Sequence, residues 1–388
     1  MTFKMKKIIL EKDIIRLYIS LMFFYCSDIA LLMLVLWLSY QSTSSALFLG
    51  MMLSLSAICP FILKKIFWKL DILNLSLNQL MQLRVYIYIA VIMVGLWMGE
   101  HKISFFILAI LLGLLSITLL SNYERMNTQL VLWQKVSSNH AARIMQTVIQ
   151  IGSFSGALIG GILLKVLDFK IIVLLIALLD IFISCICLFL FKDKFKIFGG
   201  DIKKEFGNLS SNINLRLFYG LCINIGFIAL HISVFILTTP IIFQNINHWS
   251  AAAFGVASGF VGIGAFLSVF FKVHYKDGIL FLLALLSFDI LFVVNKSIYL
   301  MPIFCLGIGF CVSVLRIQVK EKLIDLANNH ADAERIGKTS TLVYILFQSL
   351  GSLLFGILLS YIDNLEQWIL PSIAILILIS LLIKVKHD

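Results

Sequence analysis

The chain has 388 residues, 61% of them hydrophobic and only 13% charged, and its mean hydropathy is +1.03. That composition excludes a soluble domain and points to a polytopic membrane protein with no room for a large soluble part. The net charge of +11 would suggest a nucleic-acid partner in a soluble chain, but here it is accounted for by the loops of one membrane face.

A spanning helix takes about 20 apolar residues. Twelve such segments fit along the chain, at 14–39, 45–63, 78–99, 103–125, 141–165, 170–191, 215–240, 250–272, 278–295, 297–317, 337–361 and 367–384. If the N-terminus is cytoplasmic and the segments alternate, 27 of the 31 basic residues fall on the inner side, Arg84 and Arg316 counted among them. Only Lys102, Lys165, Lys170 and Lys296 are left outside. The split supports both the count of twelve and an orientation with both termini in the cytoplasm. Met1–Arg16 is too charged for a removable signal. The seven cysteines (Cys26, Cys59, Cys185, Cys187, Cys222, Cys305, Cys311) all fall in apolar segments without metal-ligand spacing, and read as packing residues.

The longest polar interruption, about Lys192–Arg216, divides the segments six and six. The expected organisation is an N-terminal six-helix half over residues 1–191, a cytoplasmic linker over 192–214 and a C-terminal half over 215–388. An offset of 195 residues places Gly156 on Gly351, Gly161 on Gly356, Asp168 on Asp363, Arg143 on Lys338, Arg125 on Lys320 and Thr43 on Thr238. The fifth and eleventh segments, and the first and seventh, therefore read as counterparts in an internal repeat.

The fifth segment carries Gly152, Gly156 and Gly160 at intervals of four, with Gly161 beside them. On a helix this is one nearly bare stripe, against which a neighbouring backbone can lie closely. Gly152-x-x-x-Gly156-Ala157-x-x-Gly160-Gly161-x-Leu163 resembles the antiporter motif in helix 5 of the major facilitator superfamily, G-x-x-x-G-P-x-x-G-G-x-L, with Ala157 in place of proline. Ser27-Asp28 followed by Thr43 and Ser44 or Ser45 resembles a helix 1 pattern of the macrolide-efflux and enterobactin-exporter-like group. Pro60, Arg84 and Asp180 fall where that group often carries such residues. The loop after the second segment, Phe67–Leu73, departs from the family's G-x-x-x-D-R-x-x-R-R: Asp71 stands as its acid, but the glycine and arginine are absent. The resemblance implies an all-α polytopic fold of twelve transmembrane helices in two pseudo-symmetric six-helix halves.

Among the ionisable residues within apolar segments, Asp28, Asp180 and Asp289 must pair, face a cavity or stay protonated. In the resembling family helices 1, 4, 7 and 10 line the central cavity, so Asp28 is the candidate for proton coupling, with a structural hydrogen bond as the other reading. Tyr25 shares its face. Asp180 and Asp289 lie on peripheral helices and read as structural pairs. Asn224, Phe227 and His231 share one face of the seventh segment and suit a cavity wall, a satisfied buried histidine being the other reading of His231. Tyr344 and Gln348 on the eleventh and Gln146 and Gln150 on the fifth suit such a wall too. The glycines are expected either to pack or to form a sliding, gating contact. Glu124 and Arg125, with Arg316, are candidates for cytoplasmic gate pairs, the other reading being an interfacial side chain that snorkels, above all for Arg316. No nucleotide-binding loop, metal cluster or nucleophile–base set occurs in the sequence, so neither an enzyme nor a cofactor beyond a proton gradient is expected.

The resemblance implies a monomeric secondary transporter of the bacterial cytoplasmic (inner) membrane, exchanging protons for a small organic molecule such as a drug-like compound or a metallophore. Import of a nutrient or siderophore on the same fold is the alternative. A non-transporting sensor or assembly factor is the third, suggested by the eroded loop.

Overall fold

The computed structural model describes residues 2–66, 75–132, 135–136, 138–191, 214–271, 278–326, 330–362 and 364–385. Residues 192–213 of the expected linker and the 67–73 loop lie outside these. Among the described residues all regular structure is helical, as a bilayer demands, since a helix satisfies its own backbone polar groups. The first six helices are α1 (Thr2–Thr43), α2 (Ala46–Ile66), α3 (Leu77–Met98), α4 (Lys102–Leu132), α5 (Ser138–Val166) and α6 (Phe169–Phe191). The second six are α7 (Leu215–Ile241), α8 (Ala251–Ser268), α9 (Gly278–Val294), α10 (Met301–Asp325), α11 (His330–Tyr361) and α12 (Ile369–Val385). Nine described helices are long and apolar enough to cross a membrane, and the apolar stretches of α2, α9 and α12 are shorter.

Helix starts carry their signals. Ser76 and Gln79 form a reciprocal capping box on α3, Asn214 caps α7 and Ser250 caps α8. Pro240 removes a backbone donor near the end of α7, and the helix passes into a π-turn at Ile242–Ile246. The hydroxyls of Thr238 and Thr239 donate to the carbonyls of Val234 and Phe235 in that last stretch. The helices α1, α4, α10 and α11 outrun their expected apolar segments, all at the same end of the bundle, because polar residues there continue the helix beyond the apolar stretch.

Glycines set how the halves meet. A methyl on Gly152 would lie 2.8 Å from Cβ of Tyr25, and one on Gly160 2.8 Å from the carbonyl of Ala30, so the stripe of α5 lies on the backbone of α1. Gly161 turns the other way and abuts Gly255 of α8; Gly356 of α11 abuts Gly50 of α2. These two crossings join the halves and are each other's pseudo-symmetric copy. Within the halves, Gly113 of α4 meets the backbone of Ser56 in α2, and Gly309 of α10 meets that of Val261 in α8.

The repeat thus holds, but not at one offset. Gly161 and Gly356 are 195 residues apart, whereas Gly50 and Gly255 are 205 apart. The expected pairing of Thr43 with Thr238 fails for this reason: Thr43 ends α1, and Thr238 is buried inside α7. Connections of unequal length between helices shift the register from one helix pair to the next.

Overpacking a close-packed contact costs about 1–3 kcal/mol. Gly161→Val and Gly356→Val should each lower the thermal unfolding midpoint of the purified protein in nanodiscs. Ile162→Val, on a side chain 54% exposed on the bundle surface, should leave it unchanged. A Gly161→Val protein as stable as Ile162→Val would show that the backbones do not touch there.

Candidate functional site

A cavity of about 220 Å³ lies between the halves, walled by α1, α5, α7, α8, α10 and α11. Its wall is mostly apolar, with Met33, Phe235, Phe254 and Val312 among its residues, and its polar members are few: Gln150, Ser153, His231, Thr239, Ser258, Ser313, Arg316 and Tyr344. Such a lining, apolar with a few convergent polar groups, is the usual composition of a small-molecule site.

The two ends of the cavity are closed differently. At one end α1 and α7 interlock. The Gln244 amide donates to the Trp37 carbonyl at 3.0 Å, Asn245 donates to the Tyr40 hydroxyl, and the Trp37 and Phe254 rings lie 5.4 Å apart. At the other end Lys320 of α10 lies 3.2 Å from Glu124 of α4, with the two side chains 40% and 33% exposed. Exposed pairs of this kind contribute about 0–1 kcal/mol.

Of the eight residues expected on the cavity wall, Gln150, His231 and Tyr344 line it. Tyr25 is buried in the core of the N-terminal half, among Leu21, Phe24 and Met145. Phe227 packs edge-on against Phe347, with centroids 5.6 Å apart. Asn224 is buried, and Gln348 takes part through its carbonyl, which accepts from Ser233 and Ser352. Gln146 keeps a buried amide nitrogen without a hydrogen-bond partner. Face-sharing placed these residues correctly on their helices, but six helices share the wall and each offers it only a narrow strip.

Asp28 is not on the wall either. Its carboxylate takes two bonds from Arg84, Nη1 at 3.1 Å and Nη2 at 2.8 Å, and one from the Tyr88 hydroxyl at 2.7 Å. The same guanidinium reaches Asp180, with Nη2 at 2.7 Å and Nε at 3.3 Å, and lies 4.2 Å from the centre of the Phe24 ring. Arg84 and Asp180 are fully buried and Asp28 is 5% exposed. One cation and two carboxylates thus tie α1, α3 and α6 together. Arg84, counted above as an inner-side basic residue, is instead the centre of a buried cluster. An arginine two turns into an apolar helix is the signal that could have found it, because it needs an acid at its own depth.

The C-terminal half has its own buried pair. His231 Nε2 of α7 lies 2.8 Å from Asp289 Oδ2 of α9, with both side chains essentially inaccessible. The second oxygen of Asp289 is buried without a hydrogen-bond partner. His231 is also part of the cavity wall, so this pair, unlike the Arg84 cluster, connects to the site.

The gate expectation resolves in part. Glu124 pairs with Lys320 and not with Arg316, while Arg125 donates to the Leu75 carbonyl. Arg316 lies at the cavity, with its guanidinium 5.1 Å from the Tyr344 ring centre. The seven cysteines are free thiols.

Breaking a buried ion network by removing its shared partner costs about 3–5 kcal/mol. Arg84→Met should lose that much, or fail to accumulate. Asp28→Asn and Asp180→Asn, each leaving one carboxylate against one guanidinium, should lose about 1–3 kcal/mol. Equal losses in unfolding measurements would contradict this charge count.

No protein-family model matches the chain, and no curated protein matches it. Solved structures do. A bacterial homologue of the human lysosomal transporter Spinster, in an inward-facing and occupied conformation, superposes with a TM-score of 0.64 at 13% identity, covering 96% of this chain and 95% of that one. The nucleoside transporter NupG gives 0.66 at 12%, over 96% and 99%. The human organic anion transporter MFSD10 gives 0.63 at 13%, over 95% and 97%. With helices of membrane-spanning length, the glycine crossings between its halves and these superpositions, the chain is a multi-pass membrane protein with the major facilitator fold, twelve helices in two pseudo-symmetric halves.

Proposed function

We propose that this protein is a secondary active transporter that moves a small organic molecule across the bacterial cytoplasmic membrane by alternating access, in exchange for protons. The observation that carries the reading is the cavity between two internally braced halves, interlocked at one end and crossed at the other by the half-exposed pair of Glu124 with Lys320. Rocking of residues 1–191 against 215–388 about the two glycine crossings would exchange the closed end for the open one. The excess of basic residues on one side supports both termini in the cytoplasm, which makes the Glu124–Lys320 end the inner gate. The likeness of the α5 stripe to the antiporter motif favours export, of a drug-like compound or a metallophore. Transporters are also what the superposing structures are named as.

The coupling proton is better carried by His231 than by Asp28. A coupling group must meet the solvent of each side in turn, and the cavity reaches His231, whereas Asp28 is saturated by Arg84 and Tyr88. Imidazole changes charge near neutral pH. The groups around His231 are Asp289 from α9, Cys311 of α10 near that carboxylate, and Arg316 and Tyr344 on the same cavity wall. Protonation makes the His231–Asp289 contact a salt bridge, and deprotonation leaves a buried carboxylate with a neutral partner. The change biases the packing of α7 on α9 and, with it, the conformation. Entry of one proton releases about 2.3 kcal/mol per 100 mV of potential.

The reading is tested without knowing the substrate. In a cysteine-free protein in liposomes, single cysteines at Ser360 and at Glu321 report the two mouths. Acidification should raise labelling at one and lower it at the other, by about fivefold or more. His231→Gln and Asp289→Asn should abolish the response, and Asp28→Asn should keep it. Labelling that rises or falls at both mouths together would end the alternating-access reading.

A further inference from the structure

We infer that the cavity is a site for an organic anion, with Arg316 binding its charged group and the apolar wall holding its body. The inference rests on the transporter reading and names its substrate class.

Arg316 is the one fully ionised side chain on the cavity wall among the described residues, and no carboxylate lines the cavity. Among the described residues its guanidinium has no hydrogen-bond or ion-pair partner, and its Nε is buried and unsatisfied. This is an expensive state for a cation between membrane-spanning helices, where ionised groups otherwise find counter-charges. The acids nearby are already committed. Glu124 is held by Lys320, Asp289 stands behind His231, and Asp28 and Asp180 share Arg84. Tyr344 lies 5.1 Å from the guanidinium at its ring face, which orients the planar fork while leaving its edge for a ligand. The geometry suits a carboxylate, which a guanidinium grips with two parallel bonds.

The rest of the wall describes the body of the ligand. Met33, Phe235, Phe254 and Val312 are apolar, and Gln150 and Ser313 offer neutral hydrogen bonds. A volume of about 220 Å³ is below the roughly 300–1,000 Å³ of drug-sized pockets. In this conformation the cavity therefore fits a compact part of a ligand, of about one ring.

The test uses benzoate, benzamide and benzylamine, which share one ring and carry a negative, zero and positive charge, with acetate, citrate and chloride for size and for inorganic anions. Binding to the purified full chain in nanodiscs is read by the shift in unfolding temperature and by tryptophan fluorescence. Benzoate is expected to bind and stabilise, with benzamide and benzylamine at least about tenfold weaker, the size of effect of one charge-assisted hydrogen bond. Arg316→Gln should remove that preference and leave weak benzamide binding as it was, and Arg316→Lys should restore part of it. Equal binding of the three ring compounds overturns the inference. So does unchanged benzoate binding in Arg316→Gln, stabilisation by chloride alone, or the absence of binding by every organic anion. Mouth labelling of the same preparations separates the two readings. Labelling that alternates while no anion binds refutes the anion assignment alone, whereas labelling that does not alternate refutes transport.

Discussion

A lipid bilayer offers no hydrogen-bonding partner, so every ionised side chain within these helices has to be matched by the protein or stand at a cavity. That constraint decides how the molecule is divided. Arg84 draws α1, α3 and α6 together through Asp28 and Asp180, and His231 with Asp289 draws α7 to α9. Each half thereby acquires an internal brace that joins its first and third helices. Between the halves the polar links among the described residues are of a weaker kind. They include the hydroxyls of Ser54 and Ser349 at 2.8 Å, the Leu47 amide with the Ser360 hydroxyl at 3.0 Å, the amides at Trp37 and Tyr40, and the exposed pair of Glu124 with Lys320. Strong electrostatics thus stays inside each half. The seam is left to backbones in van der Waals contact, which can shift without first breaking a buried charge pair.

The two halves use similar chemistry to different ends. In the N-terminal half Asp28, Arg84 and Asp180 are locked into the scaffold, and its contribution to the cavity is neutral, through Ile29, Met33, Gln150 and Ser153 among others. In the C-terminal half both the titratable imidazole and the free guanidinium reach the cavity. Braces between corresponding helices are thus buried in the scaffold in one half and adjoin the site in the other.

Much of the architecture was legible in the sequence because its signals are local. Apolar length located all twelve helices, and the bare stripe of α5 was visible as glycines at fixed intervals. What that stripe touches was not, since Gly152 and Gly160 meet α1 while Gly161, on an adjacent position, meets α8. Pairings were harder still. The acids at 28, 180 and 289 stood out as costly, but which cation each would meet depends on helix order around the bundle, and a single sequence does not reveal that. Asp28 was assigned to the cavity from its helix, and the structure turns it inward to Arg84. Arg316 was read as an interfacial residue from its place near a helix end, yet α10 runs on to Asp325, which leaves it inside. The Thr43–Thr238 pairing failed because a constant offset ignores the loops.

The crossings of Gly50 with Gly356 and of Gly161 with Gly255 also bear on how such a chain can evolve. Any single-base change in a glycine codon that alters the residue installs a side chain of at least a methyl, and at these four sites that methyl would meet a partner's backbone, not a movable side chain. A backbone cannot change its rotamer, so a substitution on one side has no compensating substitution on the other. Most of the apolar surface is under no such restriction, because lipid accepts one aliphatic residue as readily as another. Lineages of this protein are therefore expected to drift freely over their lipid-facing positions while these few glycines stay fixed. Such uneven freedom is one way in which chains sharing barely an eighth of their residues can keep one fold.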